Sequence, residues 1–348
     1  MLVYFVFSMS IILGIIAQKR NNYFFTFLLI LVLSLFVGLR SVNVGIDTYA
    51  YNNFLILLER NQFSPNVERG FLYICLFFLK LFGSKTAVFF CFSLLTNFCF
   101  LTRVWMFRKK SPFIFSLIIY LCMYYPETCN IMRQSFSISV IFLATVLLER
   151  KRYTSYIVIC CLMFFVHNVS ILGVLLLPLY ILYTNGIPHK TKTKLILLSC
   201  LVLPVGIFVL SVLLNKYLNT YSVANSGLGL MNFIRIFLFI ISFYLRSDLF
   251  KKNESAEIAN NNRFILISYL LGIIISFSGY YITTFTRIAL NFIIFEVIFI
   301  PLVCCYKKKY RVNGILFFAY AFVIGYFFIT NSISGWSGLG KYSLALWT

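Results

Sequence analysis

The stretch that decides the fold class of this chain runs Tyr23-Phe24-Phe25-Thr26-Phe27-Leu28-Leu29-Ile30-Leu31-Val32-Leu33-Ser34-Leu35-Phe36-Val37-Gly38-Leu39. It contains no charged residue, and the nearest charges are Lys19-Arg20 before it and Arg40 after it. A run of this composition is more stable in lipid than in water. Because a backbone in hydrocarbon must satisfy its own hydrogen bonds, the run predicts a transmembrane helix over residues 23–39.

The whole chain has the same character. Of its 348 residues, 61% are hydrophobic and only 11% are charged, which excludes the mixed charged surface of a soluble domain. The net charge of +21 comes from short basic clusters between apolar runs, so we do not expect nucleic acid as a partner. Most of the ten cysteines lie inside apolar runs, which argues against a disulfide framework or a cysteine-based metal site.

Further apolar runs predict an all-α, polytopic integral membrane protein of about twelve transmembrane helices. The predicted spans are 2–17, 23–39, 86–104, 112–125, 129–148, 153–166, 168–183, 195–214, 233–246, 264–281, 285–304 and 312–330. A shorter apolar segment, residues 70–83, carries Lys80 and predicts a re-entrant or interfacial helix on the outer side. No repeat or linker divides the chain, so residues 1–348 are interpreted as a single multi-pass domain.

The basic clusters orient these spans. Alternating sides along the chain, with a tight hairpin near His167-Asn168, places most of the thirty basic residues on one face, which the positive-inside rule assigns to the cytoplasm. The clusters on that face are Lys19-Arg20, Arg108-Lys109-Lys110, Arg150-Lys151-Arg152, the group Lys190, Lys192 and Lys194, Lys251-Lys252, and Lys307-Lys308-Lys309. The polar residues of the other face then lie outside the cytoplasm.

Arginines are the prominent residues of that outer face. Arg40, Arg133, Arg235 and Arg287 each lie at the outer end of a different predicted helix. Converging guanidinium groups bind a diphosphate through planar, permanently charged forks. The alternative is that each arginine reaches the lipid headgroups or pairs with Asp47, Glu127 or Glu68.

Two residues on that face are candidate proton acceptors. Asp47 follows Gly45-Ile46 just after the second span, and its alternative role is to cap a helix or turn. His167 follows Phe165-Val166, and its alternative role is hydrogen-bonded packing. No second carboxylate lies close to Asp47 in sequence, so the chemistry is expected to be metal-independent. The carboxylate Glu296, deep in a span, is expected to be protonated or hydrogen-bonded to a neighbouring helix.

The chain resembles the EpsG-like family of polysaccharide polymerases, which includes many Wzy-type O-antigen polymerases. The likeness rests on five motifs that span most of the chain in order and spacing: Arg40 with Gly45-Ile46-Asp47-Thr48-Tyr49-Ala50-Tyr51, then Glu68-Arg69-Gly70-Phe71, Arg133-Gln134-Ser135-Phe136-Ser137, Phe165-Val166-His167-Asn168-Val169-Ser170 and Thr286-Arg287. The tail Ser334-Gly335-Trp336 to Trp347 contains no motif on which the resemblance rests.

The resemblance implies a GT-C-like glycosyltransferase of the bacterial inner membrane with its active site facing the periplasm. It would need no cofactor and would join undecaprenyl-diphosphate-linked oligosaccharides as donor and acceptor, with a chain-length regulator as a candidate protein partner. In this interpretation His167 or Asp47 is catalytic, the arginines Arg40, Arg133, Arg235 and Arg287 bind the diphosphate, and Glu127 and Tyr51 support the site. The alternatives are a lipid-linked oligosaccharide flippase and an O-antigen ligase.

Overall fold

The computed structural model describes residues 2–62, 67–184, 230–245, 256–279, 283–305, 312–333 and 339–344. Their regular elements are helical, and one isolated β-bridge joins Arg40 to Leu344. The predicted all-α class is therefore confirmed for these residues. They form two compact units, one of Met1–Ile171 with Ile300–Thr348 and one of Leu172–Phe299.

The first unit contains most of the helices. They are α1 (Leu2–Arg20), α2 (Tyr23–Gly38), α3 (Thr48–Glu59), α4 (Arg69–Phe82), α5 (Lys85–Phe107), α6 (Phe113–Ile119), α7 (Tyr125–Asn130), α8 (Met132–Glu149) and α9 (Tyr153–Val166). A π-helical turn, Tyr120–Tyr124, joins α6 to α7, and a 3₁₀ segment, Asn168–Leu175, leads out of the unit.

The second unit is built from α10 (Leu176–Thr184), α11 (Leu230–Leu245), α12 (Ala256–Ser278), α13 (Thr283–Ile293) and the start of α14 (Glu296–Cys305). α14 continues into the first unit, which is completed by α15 (Val312–Phe327), the π-helical turn Phe328–Ile333 and the 3₁₀ turn Leu339–Lys341.

Long apolar helices make this a membrane protein. In the described part of the chain, four helices are long and apolar enough to cross a bilayer: Leu2–Arg20, Lys85–Phe107, Met132–Glu149 and Asn260–Ser278. The pair Phe285–Ile293 and Glu296–Cys304, bent by 44°, makes a fifth if it is one broken span. Other predicted spans appear as shorter apolar helices, and the predicted span 195–214 lies outside the described residues. The count of about twelve therefore stays a prediction.

A buried polar cluster holds the first unit together. Asn97 of α5 is fully buried, donates to Ser34 of α2 at 3.2 Å, and accepts from the Tyr120 hydroxyl at 2.6 Å. In an apolar bundle such hydrogen bonds supply directional attraction between helices that lipid exclusion alone does not give. The cluster therefore fixes α2, α5 and the π-helical turn in one register.

The two ends of this unit differ in chemistry. At one end, Arg108 donates to Asn21 at 2.8 Å, and Arg103 pairs with Glu149 at 2.6 Å, so the turns that carry three of the basic clusters lie on one side. At the other end lie Arg40, Glu68, Arg133 and His167 with their partners. This separation of basic clusters from motif residues agrees with the alternation of spans predicted for this part of the chain.

Two local features refine the sequence prediction. The segment predicted to be re-entrant or interfacial is a single helix, α4, which packs against α5 and α9 and is followed by the C-cap residue Gly83 with φ +63°. The helix α3 was not predicted, because its residues include Asn52 and Asn53 and do not form an apolar run.

Candidate functional site

Three motif residues that are far apart in sequence meet in the first unit. The Glu68 carboxylate accepts a charge-assisted hydrogen bond from Arg133 Nη1, and its Oε1 lies 3.3 Å from His167 Nδ1. The same Oε1 accepts the backbone N–H of Asn168 at 3.4 Å. The three side chains are between 13% and 28% exposed, so the cluster is partly buried but still accessible from outside the protein. Glu68 thus joins the starts of α4 and α8 to the end of α9.

A glycine makes this meeting sterically feasible. Gly70 in the first turn of α4 lies against Phe165, and a Cβ on Gly70 would be 2.6 Å from the Phe165 carbonyl oxygen. No real side chain tolerates that distance from a backbone atom. The absent side chain therefore lets α4 approach the end of α9 closely enough for Glu68 to reach His167.

Aromatic rings cover the Arg133 guanidinium. Its Cζ lies 5.9 Å from the Tyr51 ring centroid and 5.5 Å from that of Phe71. Within the described residues, the buried Nε of Arg133 has no hydrogen-bond partner, and the ion pair with Glu68 uses Nη1. Because a guanidinium carries five N–H donors, Arg133 can bind Glu68 and an anionic ligand together.

Asp47 lies near this cluster, at the start of α3. Its carboxylate does not cap the helix, so the alternative capping role is not what the structure shows. Tyr51 is one helical turn further along α3, where its backbone N–H bonds to Asp47 O and its ring centroid lies 5.9 Å from Arg133 Cζ. Burial raises the pKa of Tyr51 above its ordinary value, while the positive charge of Arg133 acts in the opposite direction. Tyr51 therefore contributes a neutral hydroxyl.

The loop that carries Asp47 is held by α7. Asn130 at the end of α7 accepts the backbone N–H of Ile46 at 2.8 Å. Gly45 has φ +89°, and a Cβ there would meet Asn130 Oδ1 at 2.8 Å and the Cys129 carbonyl at 2.9 Å. The Gly45-Ile46-Asp47 sequence therefore needs both the conformational freedom and the small size of glycine. Glu127, a predicted support residue, lies in the first turn of the same helix.

Arg40 lies deeper than the other motif arginines. It is 4% exposed, and it donates to Val37 O at 2.6 Å, Cys129 O at 3.1 Å and Thr48 Oγ1 at 3.2 Å. These bonds join the end of α2, the end of α7 and the start of α3. The geometry favours a scaffold role for Arg40, and its predicted contact with diphosphate stays a prediction.

The second unit holds the other two predicted diphosphate ligands. Arg235 of α11 forms an ion pair with the fully buried Glu296 at 3.0 Å, and Tyr269 of α12 donates to the same carboxylate at 3.3 Å. Glu296 is thus hydrogen-bonded to neighbouring helices, one of the two states expected from its sequence. Arg287 lies on α13 and is exposed. The convergence of the four arginines stays a prediction.

The charge state of Glu68 follows from its surroundings. Burial raises its pKa, but hydrogen bonds with backbone N–H groups and the positive charge of Arg133 outweigh burial, so the pKa falls below the ordinary 4.5. Glu68 is therefore ionised at neutral pH. A carboxylate beside an imidazole stabilises the imidazolium form and fixes the orientation of the ring.

Glu68 is the residue whose importance the sequence did not reveal. The sequence presents it as a candidate partner of the arginines and as part of the motif Glu68-Arg69-Gly70-Phe71. Its position in that motif was the available signal, but its contact with His167 spans about a hundred residues and has no periodicity to reveal it. Across the described residues, no group of three or more His, Cys, Asp or Glu side chains forms a metal site.

Comparison with known proteins supports the resemblance seen in the motifs. The model of the EpsG family matches residues 22–344, nearly the whole chain. No curated protein and no solved structure matches the chain. The match covers the Asp47 loop, Glu68, Arg133, His167 and Arg287 in one continuous region. The chain therefore belongs to the EpsG family.

Proposed function

We propose that this protein is a polysaccharide polymerase, a metal-independent glycosyltransferase that joins polyprenyl-diphosphate-linked oligosaccharide units at the periplasmic face of the bacterial inner membrane. The observation that carries the proposal is the Glu68–Arg133–His167 cluster beside Asp47, at the end of the first unit opposite its basic clusters. Membership of a family associated with polysaccharide polymerases supports the same activity.

The reaction has two electrostatic requirements that this cluster meets. An acceptor hydroxyl must lose a proton as it attacks the sugar carbon, and a diphosphate must leave with its negative charge stabilised. In the proposed mechanism, His167 or Asp47 receives the proton, and the Glu68 carboxylate, 3.3 Å from His167 Nδ1, stabilises the positive charge that His167 gains. Arg133 stabilises the departing diphosphate with the donors that Glu68 does not use.

Arg287 is proposed as a second diphosphate ligand because it is exposed and lies on a helix of mixed composition. Arg235 is a weaker candidate, since its guanidinium is engaged with Glu296. Undecaprenyl diphosphate as the lipid, O-antigen as the polymer and a chain-length regulator as a partner belong to the same proposal.

A gel of surface polysaccharide tests the function in cells. A strain that lacks the gene should replace its ladder of chain lengths with core carrying one repeat unit, and a plasmid copy should restore the ladder. Loss of even the single-repeat band would instead indicate a flippase or a ligase. A flippase brings the lipid-linked unit to the periplasmic face and a ligase joins the glycan to the core, so core carrying one unit requires both. A plasmid copy carrying Glu59→Gln serves as a control and should also restore the ladder, because Glu59 forms a solvent-exposed ion pair with Lys85.

A further inference from the structure

The C-terminal segment Leu339–Leu344 is bound to the loop that carries Asp47. Ser41 donates its backbone N–H to Ser343 O at 2.9 Å, and the two serine hydroxyls lie 2.8 Å apart. The β-bridge between Arg40 and Leu344 continues this pairing. Leu339, at the start of the segment, is fully buried. The segment is therefore packed in the first unit, on the side of the motif residues.

The same segment completes the end of α2. The last carbonyls of any helix lack partners within the helix, and in a membrane protein they must find others. Phe36 O accepts the Tyr342 hydroxyl at 2.6 Å, and Val37 O accepts Arg40 Nη1 at 2.6 Å. The Tyr342 ring also stacks on the Phe36 ring, with centroids 4.1 Å apart. Tyr342 and Arg40 thus cap adjacent carbonyls of one helix end.

These contacts lie next to the catalytic region. Arg40 is bonded to Thr48, which is adjacent to Asp47, and to Cys129 O, which is adjacent to Asn130. The C-terminal segment thus holds the start of the loop, while α7 holds its end through Asn130 and Ile46. A loop fixed at both ends keeps Asp47 in one place relative to Arg133.

We propose that Leu339–Leu344 is a positioning element of the active site, with Tyr342 as its central residue. The expected effect on turnover rests on the proposed function, whereas the contacts of Leu339–Leu344 with the Asp47 loop do not depend on it. Tyr342 contacts Phe36 through its hydroxyl and its ring, and in this proposal it acts by holding the Arg40–Asp47 loop. Misplacing a catalytic group by about 1 Å can cost roughly 10²-fold in rate, so loosening this attachment should be visible in turnover.

The first experiment tests the contact itself. The variant Ser41→Cys/Ser343→Cys should form a disulfide under mild oxidation, detected as a reversible shift of the purified protein on a non-reducing gel. Each single variant, and the pair Lys109→Cys/Ser343→Cys, should not shift, because Lys109 follows α5 at the opposite end of the unit. Absence of the shift in the first pair would overturn the placement, whatever reaction the protein catalyses.

The second experiment tests positioning. Tyr342→Ala should lower the polymerisation rate roughly 10²-fold, with Tyr342→Phe intermediate because it keeps the ring stack. Adding Ser41→Cys/Ser343→Cys to Tyr342→Ala should restore the rate when oxidised and lose it again when reduced. Reversible recovery in one preparation separates positioning from misfolding. If the activity of this triple variant is the same when oxidised and when reduced, whether high or low, the role of the segment is overturned.

Discussion

At the scale of single residues, Glu68 explains more of the site than either candidate base. Its carboxylate contacts both Arg133 and His167, and it is ionised at neutral pH. The sequence predicts Arg133 and His167 on the outer face from the alternation of spans and the positions of the basic clusters. It could not supply the connecting carboxylate, because contacts between distant helices depend on packing that no local pattern records.

Replacing Glu68 should therefore harm catalysis more than binding. In Glu68→Gln the amide keeps the shape but cannot stabilise a positively charged His167, so we expect kcat to fall about 10²-fold. The measurement is polymer formation by purified protein supplied with lipid-linked repeat units. Glu59→Gln serves as the control and should retain the wild-type rate. A Glu68→Gln enzyme with normal kcat would remove this carboxylate from the mechanism.

The lowered pKa of Glu68 also predicts a pH-dependent stability. An ionised carboxylate with a folded-state pKa below 4.5 contributes its full stabilisation above that pH, and the contribution is lost as the pH falls through the folded-state value. The difference in Tm between wild type and Glu68→Gln should thus shrink once the pH falls below about 4.5. A difference that stays the same or grows below that pH would contradict the assigned charge state.

At the scale of elements, close approach of helices decides the geometry. Gly70→Ala should force α4 away from Phe165 and separate Glu68 from His167. We expect a loss of rate of at least about tenfold with normal expression, since displacement of catalytic groups lowers turnover steeply. Gly325→Ala is the control, because nothing lies within 4 Å of a Cβ at that position. Equal activity of the two variants would show that the α4–α9 contact does not set the site.

The buried pair in the second unit makes a different prediction. Arg235→Met leaves Glu296 buried without its cation and should destabilise folding by about 3–5 kcal/mol, whereas Arg235→Met/Glu296→Leu should recover much of that loss. Denaturant unfolding in mild detergent measures both. If the single variant keeps wild-type stability but loses polymerase activity, Arg235 binds the substrate, as the sequence predicts, and does not stabilise the fold.

At the scale of the whole molecule, sequence reasoning predicted the class and the family but not every element. Apolar runs identified the helices because lipid imposes a strong compositional rule. The rule is weak for α3, which lies outside the long apolar runs, and for the break between α13 and α14, where residues 285–304 read as one run. The packing of Arg40 was equally hidden, because a buried arginine and a ligand-binding arginine look alike in sequence.

The orientation of the molecule is a separate prediction. Ile46→Cys, on the motif side, should react with a membrane-impermeant thiol reagent added to the periplasm, because Ile46 is 62% exposed. Lys109→Cys, in a basic cluster, should react only after the inner membrane is permeabilised. The reverse pattern would place the motif residues in the cytoplasm and exclude a periplasmic active site.

The most direct test of the central claim is elongation by the purified protein. Supplied only with polyprenyl-diphosphate-linked repeat units, the wild-type protein should produce longer lipid-linked glycans and release polyprenyl diphosphate. The variants His167→Gln and Glu68→Gln, each purified as a folded protein, should release about 10²-fold less polyprenyl diphosphate in the same time. Equal release by wild type and both variants would contradict the assignment of this cluster as the active site. No elongation by the folded wild-type protein would contradict the polymerase assignment itself.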